Sequence, residues 1–173
     1  MSSHHYLQSF PSGWTYSYAL EDAYVTFSIP ANKNLGPYVF GDLPEVKELA
    51  LLWAPNGHRK NLLTEAISAA TSALREDVGT EGLVSFADAN QGHHGGIYQA
   101  ASWIYTGRSS ESRVYITEDG RTLSRRSFHS GGTSLIPGIK PVKLPGKHRY
   151  ARCLTKRARR SLRLAAQDYP KTE

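Results

Sequence analysis

The strongest constraint on the fold lies between positions 46 and 104, where the hydrophobic pattern alternates between strand-like and helix-like spacing. Val46–Trp53 (VKELALLW) is a dense apolar run of strand length, and it ends in the polar stretch Ala54-Pro55-Asn56-Gly57-His58-Arg59-Lys60-Asn61. Leu62, Leu63, Ala66, Ile67, Ala70 and Leu74 then recur at helical spacing, which predicts a helix over 61–77. Residues 83–87 read as a buried strand, the glycine-rich segment 88–96 ends it, and 97–103 reads as a short helix before a strand beginning near Ile104. The order strand, loop, helix, strand, loop, helix describes a βαβ-like core. Ligands on such sheets collect where the C-terminal ends of strands meet helix starts.

The flanking segments add antiparallel structure. Aromatic and β-branched residues over 14–29 predict two short strands turning at Glu21-Asp22, with Pro30 stopping the second. Tyr38-Val39-Phe40, before Gly41-Asp42, reads as a strand that pairs with the apolar run after it. Downstream, 113–117 and 122–128 form a hairpin through Glu118-Asp119-Gly120, and 130–146 reads as a Gly/Pro-punctuated loop. The expected architecture is α+β, a mixed and mostly antiparallel sheet flanked by helices. With 173 residues, 39% of them hydrophobic, it is read as one domain with its own core, and residues 147–173 as a basic C-terminal extension.

Composition narrows the chemistry. The single Cys153 excludes an internal disulfide, a zinc finger and a cysteine-ligated iron–sulfur cluster. No stretch reaches the roughly 18–20 apolar residues of a membrane helix, and the first ten residues lack the pattern of a signal peptide. An intracellular protein with no membrane contact is therefore expected. Charge is unevenly placed: residues 140–173 hold 11 basic and 2 acidic side chains, and the rest of the chain 10 and 13. Lys156, Arg157, Arg159, Arg160 and Arg163 have helical spacing, with Leu162, Ala165 and Ala166 as an inward face, which predicts a basic amphipathic helix. With Lys147, Arg149 and Arg152 they form the candidate nucleic-acid-binding set, because phosphate contacts reward such a surface.

Two loops carry candidate chemistry. Gly57, His58, Arg59, Lys60 and Asn61 precede a helix N-terminus, where unpaired N–H groups and the helix dipole favour an anion. The bland alternative is an ordinary polar loop with Asn61 as N-cap. No Walker loop or dinucleotide fingerprint is present, which disfavours a kinase or an NAD enzyme, and Ser85 lacks the elbow of a serine hydrolase. The second loop, with the start of the helix after it, is DANQGHHGGIY, and it concentrates Asp88, His93, His94, three glycines and Tyr98 in eleven residues. Asp88 can orient or deprotonate an amine, the histidines titrate near neutral pH, and Tyr98 can protonate a leaving group. Adjacent His93 and His94 alone make a weak metal site. At the start of the chain, His4-His5-Tyr6 reads from the residues alone as a terminus or tag fragment.

Tyr98 followed by Ser102-Trp103 and Gly107, after a strand, loop and long helix in the same order, resembles the GNAT acyltransferase superfamily. The loop 56–61 stands where that family has its pyrophosphate loop but departs from the [QR]xxGx[GA] consensus. A narrower likeness covers most of the chain. HHY near the start, VKELALLWAPNGHRKNLLTEAIS, LVSFADANQGHHGGIYQAASWIYTG, KHRY and the terminal YPK resemble the Mom family of phage DNA-modification proteins, a divergent GNAT branch. The resemblance implies conversion of adenine in DNA to an N6-carbamoylmethyl-type base, which protects DNA from restriction, in the cytoplasm of a bacterial host. It implies Asp88, Tyr98 and Ser85 as catalytic candidates and 57–61 as the pocket for an acyl or aminoacyl donor, a CoA thioester being one option. It also implies iron, with His5 and Tyr6 as the matching ligands. Double-stranded DNA and the donor are the expected partners, and a dimer is one option. The adenine is expected to be flipped out of the duplex, with Trp14, Tyr16 or Trp103 as candidates to stack on it. The rival readings are a GNAT enzyme acting on a protein, small amine or charged tRNA, an RNA-directed modifier, and a non-enzymatic nucleic-acid-binding protein.

Overall fold

The computed structural model describes residues 15–116, 122–124 and 141–171. The described strands β1 (Thr15–Leu20), β2 (Ala23–Ser28), β3 (Val46–Trp53), β4 (Gly82–Ala87), β5 (Ile104–Arg108) and β9 (His148–Cys153) form a six-stranded sheet ordered β1-β2-β3-β4-β9-β5. Every neighbouring pair in it is antiparallel except β3 and β4. Helix α2 (Leu62–Val78) makes the crossover between those two. A smaller antiparallel sheet, ordered β7-β6-β8, joins β6 (Ser112–Ile116), β7 (Thr122–Ser124) and β8 (Pro141–Leu144). The result is the mixed α+β arrangement expected from the sequence, consistent with a GNAT-like fold.

Alternation along β4 divides the core. Leu83 and Ala87 point into a cluster with Phe27, Leu49, Ile67, Leu74, Trp103 and Tyr150, and this side is covered by α2 and by α3 (Gly96–Ala100). Val84 points the opposite way, into a cluster with Val39, Phe40, Val46, Ala151 and Ala158, covered by α1 (Leu35–Phe40) and α4 (Lys156–Ser161). The interior strands β2, β3, β4 and β9 thus bury residues on both faces, which explains the nearly continuous apolar runs of β3 and β4, whereas the edge strand β1 alternates exposed and half-buried residues.

Four sequence expectations are corrected. Tyr38-Val39-Phe40 lies in α1 rather than in a strand: Asn32 Oδ1 accepts from Asn34 N–H at 3.0 Å just before the helix, and Pro37 is tolerated in the first turn. The helix buries Leu35, Val39 and Phe40 on one face, and that burial outweighs the β-propensity of the triplet. The expected loop 130–146 contains β8, paired with β6. Residues 147–173 are not peripheral, because β9 is an interior strand between β4 and β5. The basic helix spans only Lys156–Ser161, with Thr155 as N-cap accepting from Ala158 N–H at 3.0 Å. Its inward residue is Ala158; Leu162 packs against the core after the helix has ended, whereas Ala165 and Ala166 are exposed. Among the described residues, no helix is long and apolar enough to cross a membrane.

Candidate functional site

The parallel pairing of β3 and β4 runs only from Val46/Gly82 to Leu49/Ser85. Beyond it lies a cleft of about 560 Å³. Its walls come from the last residues of β3 (Leu49, Ala50, Leu52, Trp53), from Leu63 of α2, from Phe86 to Asp88, and from Gly92 to Tyr98. The sequence places a glycine-rich loop where two strands part, and the opening between them is what the loop lines.

Ser85 and Tyr98 meet at the back of the cleft, both buried. Ser85 Oγ lies 2.9 Å from the Leu49 carbonyl and 2.8 Å from Tyr98 Oη. A carbonyl only accepts, so the single serine proton goes to Leu49 and the phenol of Tyr98 donates to Ser85. Behind Tyr98 stand Trp103, with ring centroids 5.3 Å apart, and Tyr150, at 5.0 Å. Tyr150 donates its hydroxyl proton to the His94 carbonyl, and Tyr105 packs against both Tyr150 and His148. His148 Nδ1 lies 3.0 Å from Tyr105 Oη, and burial, with the charges of Arg108 and His94 adding to it, keeps its pKa below that of a free imidazole. Burial also pushes the Tyr150 phenol up.

Asp88 is held from two directions. Its Oδ1 accepts from the backbone and side-chain nitrogens of Asn90, each at 3.0 Å, and its Oδ2 pairs with Lys147 Nζ at 2.9 Å. Burial raises its pKa, but the Lys147 bond and charge together with Asn90 outweigh this and hold the carboxyl below the ordinary range. Asp88 is thus an ionised acceptor suited to orienting an amine and poorly suited to removing its proton.

The loop 57–61 lies at the N-terminus of α2, between Ala54 and Leu63 of the cleft wall in the chain, but none of its five residues lines the cleft. Arg59 donates to Glu21 and to Glu65, with shortest bonds of 2.7 Å to each. These carboxylates neutralise it, so the loop offers less positive charge than its sequence suggests. Asn61 occupies the N-cap position in a left-handed conformation, φ 66°, with no side-chain capping bond, which corrects the capping role. Gly57, His58 and Lys60 are exposed.

The basic set divides. Arg149 is 6% exposed and donates to Thr106 Oγ1 at 3.0 Å and to the Thr106 carbonyl at 2.8 Å. Arg152 donates to the Ala101 carbonyl at 2.6 Å, and Lys147 is committed to Asp88. These three fasten the fold. Lys156, Arg157, Arg159, Arg160 and Arg163 are exposed, with Arg157 bonded to Glu81 at 3.2 Å. Trp103, fully buried, cannot stack on a substrate, and its indole N–H has no partner among the described residues. Trp14, His5 and Tyr6 lie outside the described residues. Among the described residues no group of three or more His, Cys, Asp or Glu side chains gathers as a metal site, so the expected iron has no ligand set there.

The sequence did not single out Lys147 as the partner of Asp88, nor Tyr105, His148 and Tyr150 as the wall behind the loop. Each reaches the site through the pairing of β9 with β4 and β5, a contact over tens of residues with no local signal. A protein-family model described as the Mom protein family matches residues 2–171 of the chain. No curated protein matches it.

Proposed function

The chain belongs to the Mom protein family, a membership that implies phage DNA modification, and we propose that it transfers a small carbon unit to N6 of adenine in duplex DNA. The product is a carbamoylmethyl-type base, and the cleft between β3 and β4 is where donor and amine meet. One observation carries this reading: the strands part over a recess that brings together Asp88, the glycine-rich loop and the Tyr98–Ser85 pair.

The N6 lone pair is delocalised into the purine ring, so the amine must be oriented and relieved of a proton, and the leaving group must be protonated. Asp88, ionised by its bond to Lys147, accepts a hydrogen bond from the amine and aligns it. Tyr98 gives its phenol proton to the leaving group as the new N–C bond forms. Ser85, 2.8 Å away, turns its hydroxyl from Leu49 to the phenolate oxygen, and the phenolate then takes up the proton that N6 releases, which restores the phenol. The apolar residues Leu49, Leu52, Trp53 and Leu63 exclude water from the donor. With Arg59 tied to Glu21 and Glu65, donor binding does not depend on a guanidinium–diphosphate contact, and the donor is held mainly by apolar walls with its methylene carbon, which carries the leaving group, toward N6.

Mass spectrometry of nucleosides from plasmid DNA tests the reaction, using cells that express the wild-type chain, Asp88→Ala or Tyr98→Phe. A heavier deoxyadenosine present with the wild type and lost in both variants is the expected result, and its mass identifies the transferred group. Unmodified DNA beside soluble wild-type protein would redirect the reading to RNA or protein acceptors.

A further inference from the structure

We propose that Tyr38 is the platform on which a purine extruded from duplex DNA stacks, and that the sheet face covered by α1 and α4 receives the duplex. This rests on the DNA-modification reading above. Three of the six residues of α1 turn large apolar side chains inward, yet Tyr38 is 55% exposed. The Arg149 guanidinium lies over its ring, 5.1 Å from the centroid. Arg149 is itself fixed by its two bonds to Thr106. One face of the ring therefore rests on an immobilised cation while the other is open. Such a ring loses little freedom when a flat, apolar ligand settles on it, and every nucleobase has a suitable face.

Position ties the platform to the cleft. Arg149 is the register partner of Phe86 across β4 and β9, so both side chains share one face of the sheet. Phe86 lines the cleft, and Asp88, two residues further along the same chain face, carries the carboxylate assigned to orient the amine. A base on Tyr38 lies beside the path to that carboxylate.

The same face carries the cations a flipped nucleotide needs at its flanking phosphates. Arg163 N–H donates to the Val39 carbonyl at 2.9 Å, and its guanidinium lies against Gly41, where a Cβ would come within 2.7 Å of Nε. Residues after α4 are thereby pinned to the end of α1. Arg159 and Arg160 on α4 are exposed and have no carboxylate partner among the described residues. Phosphates thus have contacts within the span of two short helices that also present the ring.

The test uses the full chain and a duplex oligonucleotide with one 2-aminopurine opposite an abasic site, which lowers the cost of extrusion. The wild type is expected to bind it and to quench the emission of the extruded base by stacking. Tyr38→Ala should bind this probe roughly 5- to 100-fold more weakly, the range for one base–aromatic stack, and leave the bound base brighter. Tyr38→Phe should behave as wild type. Because the side chain is exposed, the fold survives all of these changes. Equal affinity and equal emission for Tyr38→Ala would overturn this inference while leaving the DNA reading intact. Failure of the wild type to bind any duplex would overturn both.

Discussion

Replacing Gly95 by alanine measures how tightly the glycine-rich loop is held against the sheet. Gly95 has φ +83°, and a Cβ at that position would come within 2.5 Å of Tyr150 Cζ and 2.6 Å of Tyr150 Oη. Tyr150 has no room to retreat: it is fully buried, packed 5.0 Å from Tyr98 and 5.3 Å from Tyr105 between ring centroids, and bonded to the His94 carbonyl. A left-handed backbone costs a non-glycine residue about 1–2 kcal/mol. Forcing a methyl group into a packed wall adds about 1–3 kcal/mol. The sum, roughly 2–5 kcal/mol at ~2–4 °C per kcal/mol for a chain of this size, predicts a Tm lowered by about 4–20 °C. Gly92 is the internal control, because its φ is +73° and nothing lies within 4 Å of the position a Cβ would take. Gly92→Ala should show only the backbone part. Thermal and urea unfolding of both variants gives the comparison, and nucleoside mass spectrometry shows whether the loop still serves the reaction. If Gly95→Ala is as stable as Gly92→Ala, Tyr150 does not dictate glycine at this position and the wall behind the loop is softer than argued.

Tyr98→Phe removes the bond to Ser85, worth about 1 kcal/mol, and with it the proton assigned to the leaving group. Modified deoxyadenosine should fall steeply while DNA affinity holds, and equal losses in both would mark Tyr98 as structural. Arg159→Gln with Arg160→Gln should flatten the slope of log affinity against log salt by up to about 0.9 per lost phosphate contact. Arg157→Gln, whose wild-type charge is shared with Glu81, should flatten it less, and an unchanged slope in the double variant would remove α4 from DNA binding. His148 stays neutral in the fold because burial lowers its pKa, whereas an unfolded imidazole takes up a proton below about pH 6.5. Its contribution to stability is complete above that pH and is lost as the pH falls from there toward the depressed folded value. Urea unfolding of wild type and His148→Gln between pH 7.5 and pH 5 should show a steeper decline in the wild type, and parallel curves would contradict the assignment.

Periodicity made β3, α2 and β4 legible almost to the residue, because each element's burial is written in its own spacing and each is long enough for the spacing to show. The glycine-rich segment was legible as a loop for a related reason: a run of small and titratable residues after a buried strand has few uses in a core, and in the fold it lines the cleft. Tyr38-Val39-Phe40 failed as a strand because three residues are too few to distinguish period 2 from period 3.6. Packing of Leu35, Val39 and Phe40 on the sheet decided the matter. The basic C-terminal run failed differently. Charge alone cannot distinguish an arginine that meets a phosphate from one buried against a carbonyl, and Arg149 and Arg152 are of the second kind.

The sequence by itself determined which segments are strands and helices in the central core, and where the glycine-rich loop between them falls. It did so because local spacing and local composition act over a few residues. Tertiary structure alone decided that β9 lies between β4 and β5, and with it came Lys147 beside Asp88, Tyr150 against Gly95 and Arg149 beneath Tyr38. Those contacts join residues 59, 55 and 111 positions apart in the chain. Their energies arise only when loop closure has already been met by burial of the whole sheet, so no window of sequence carries them.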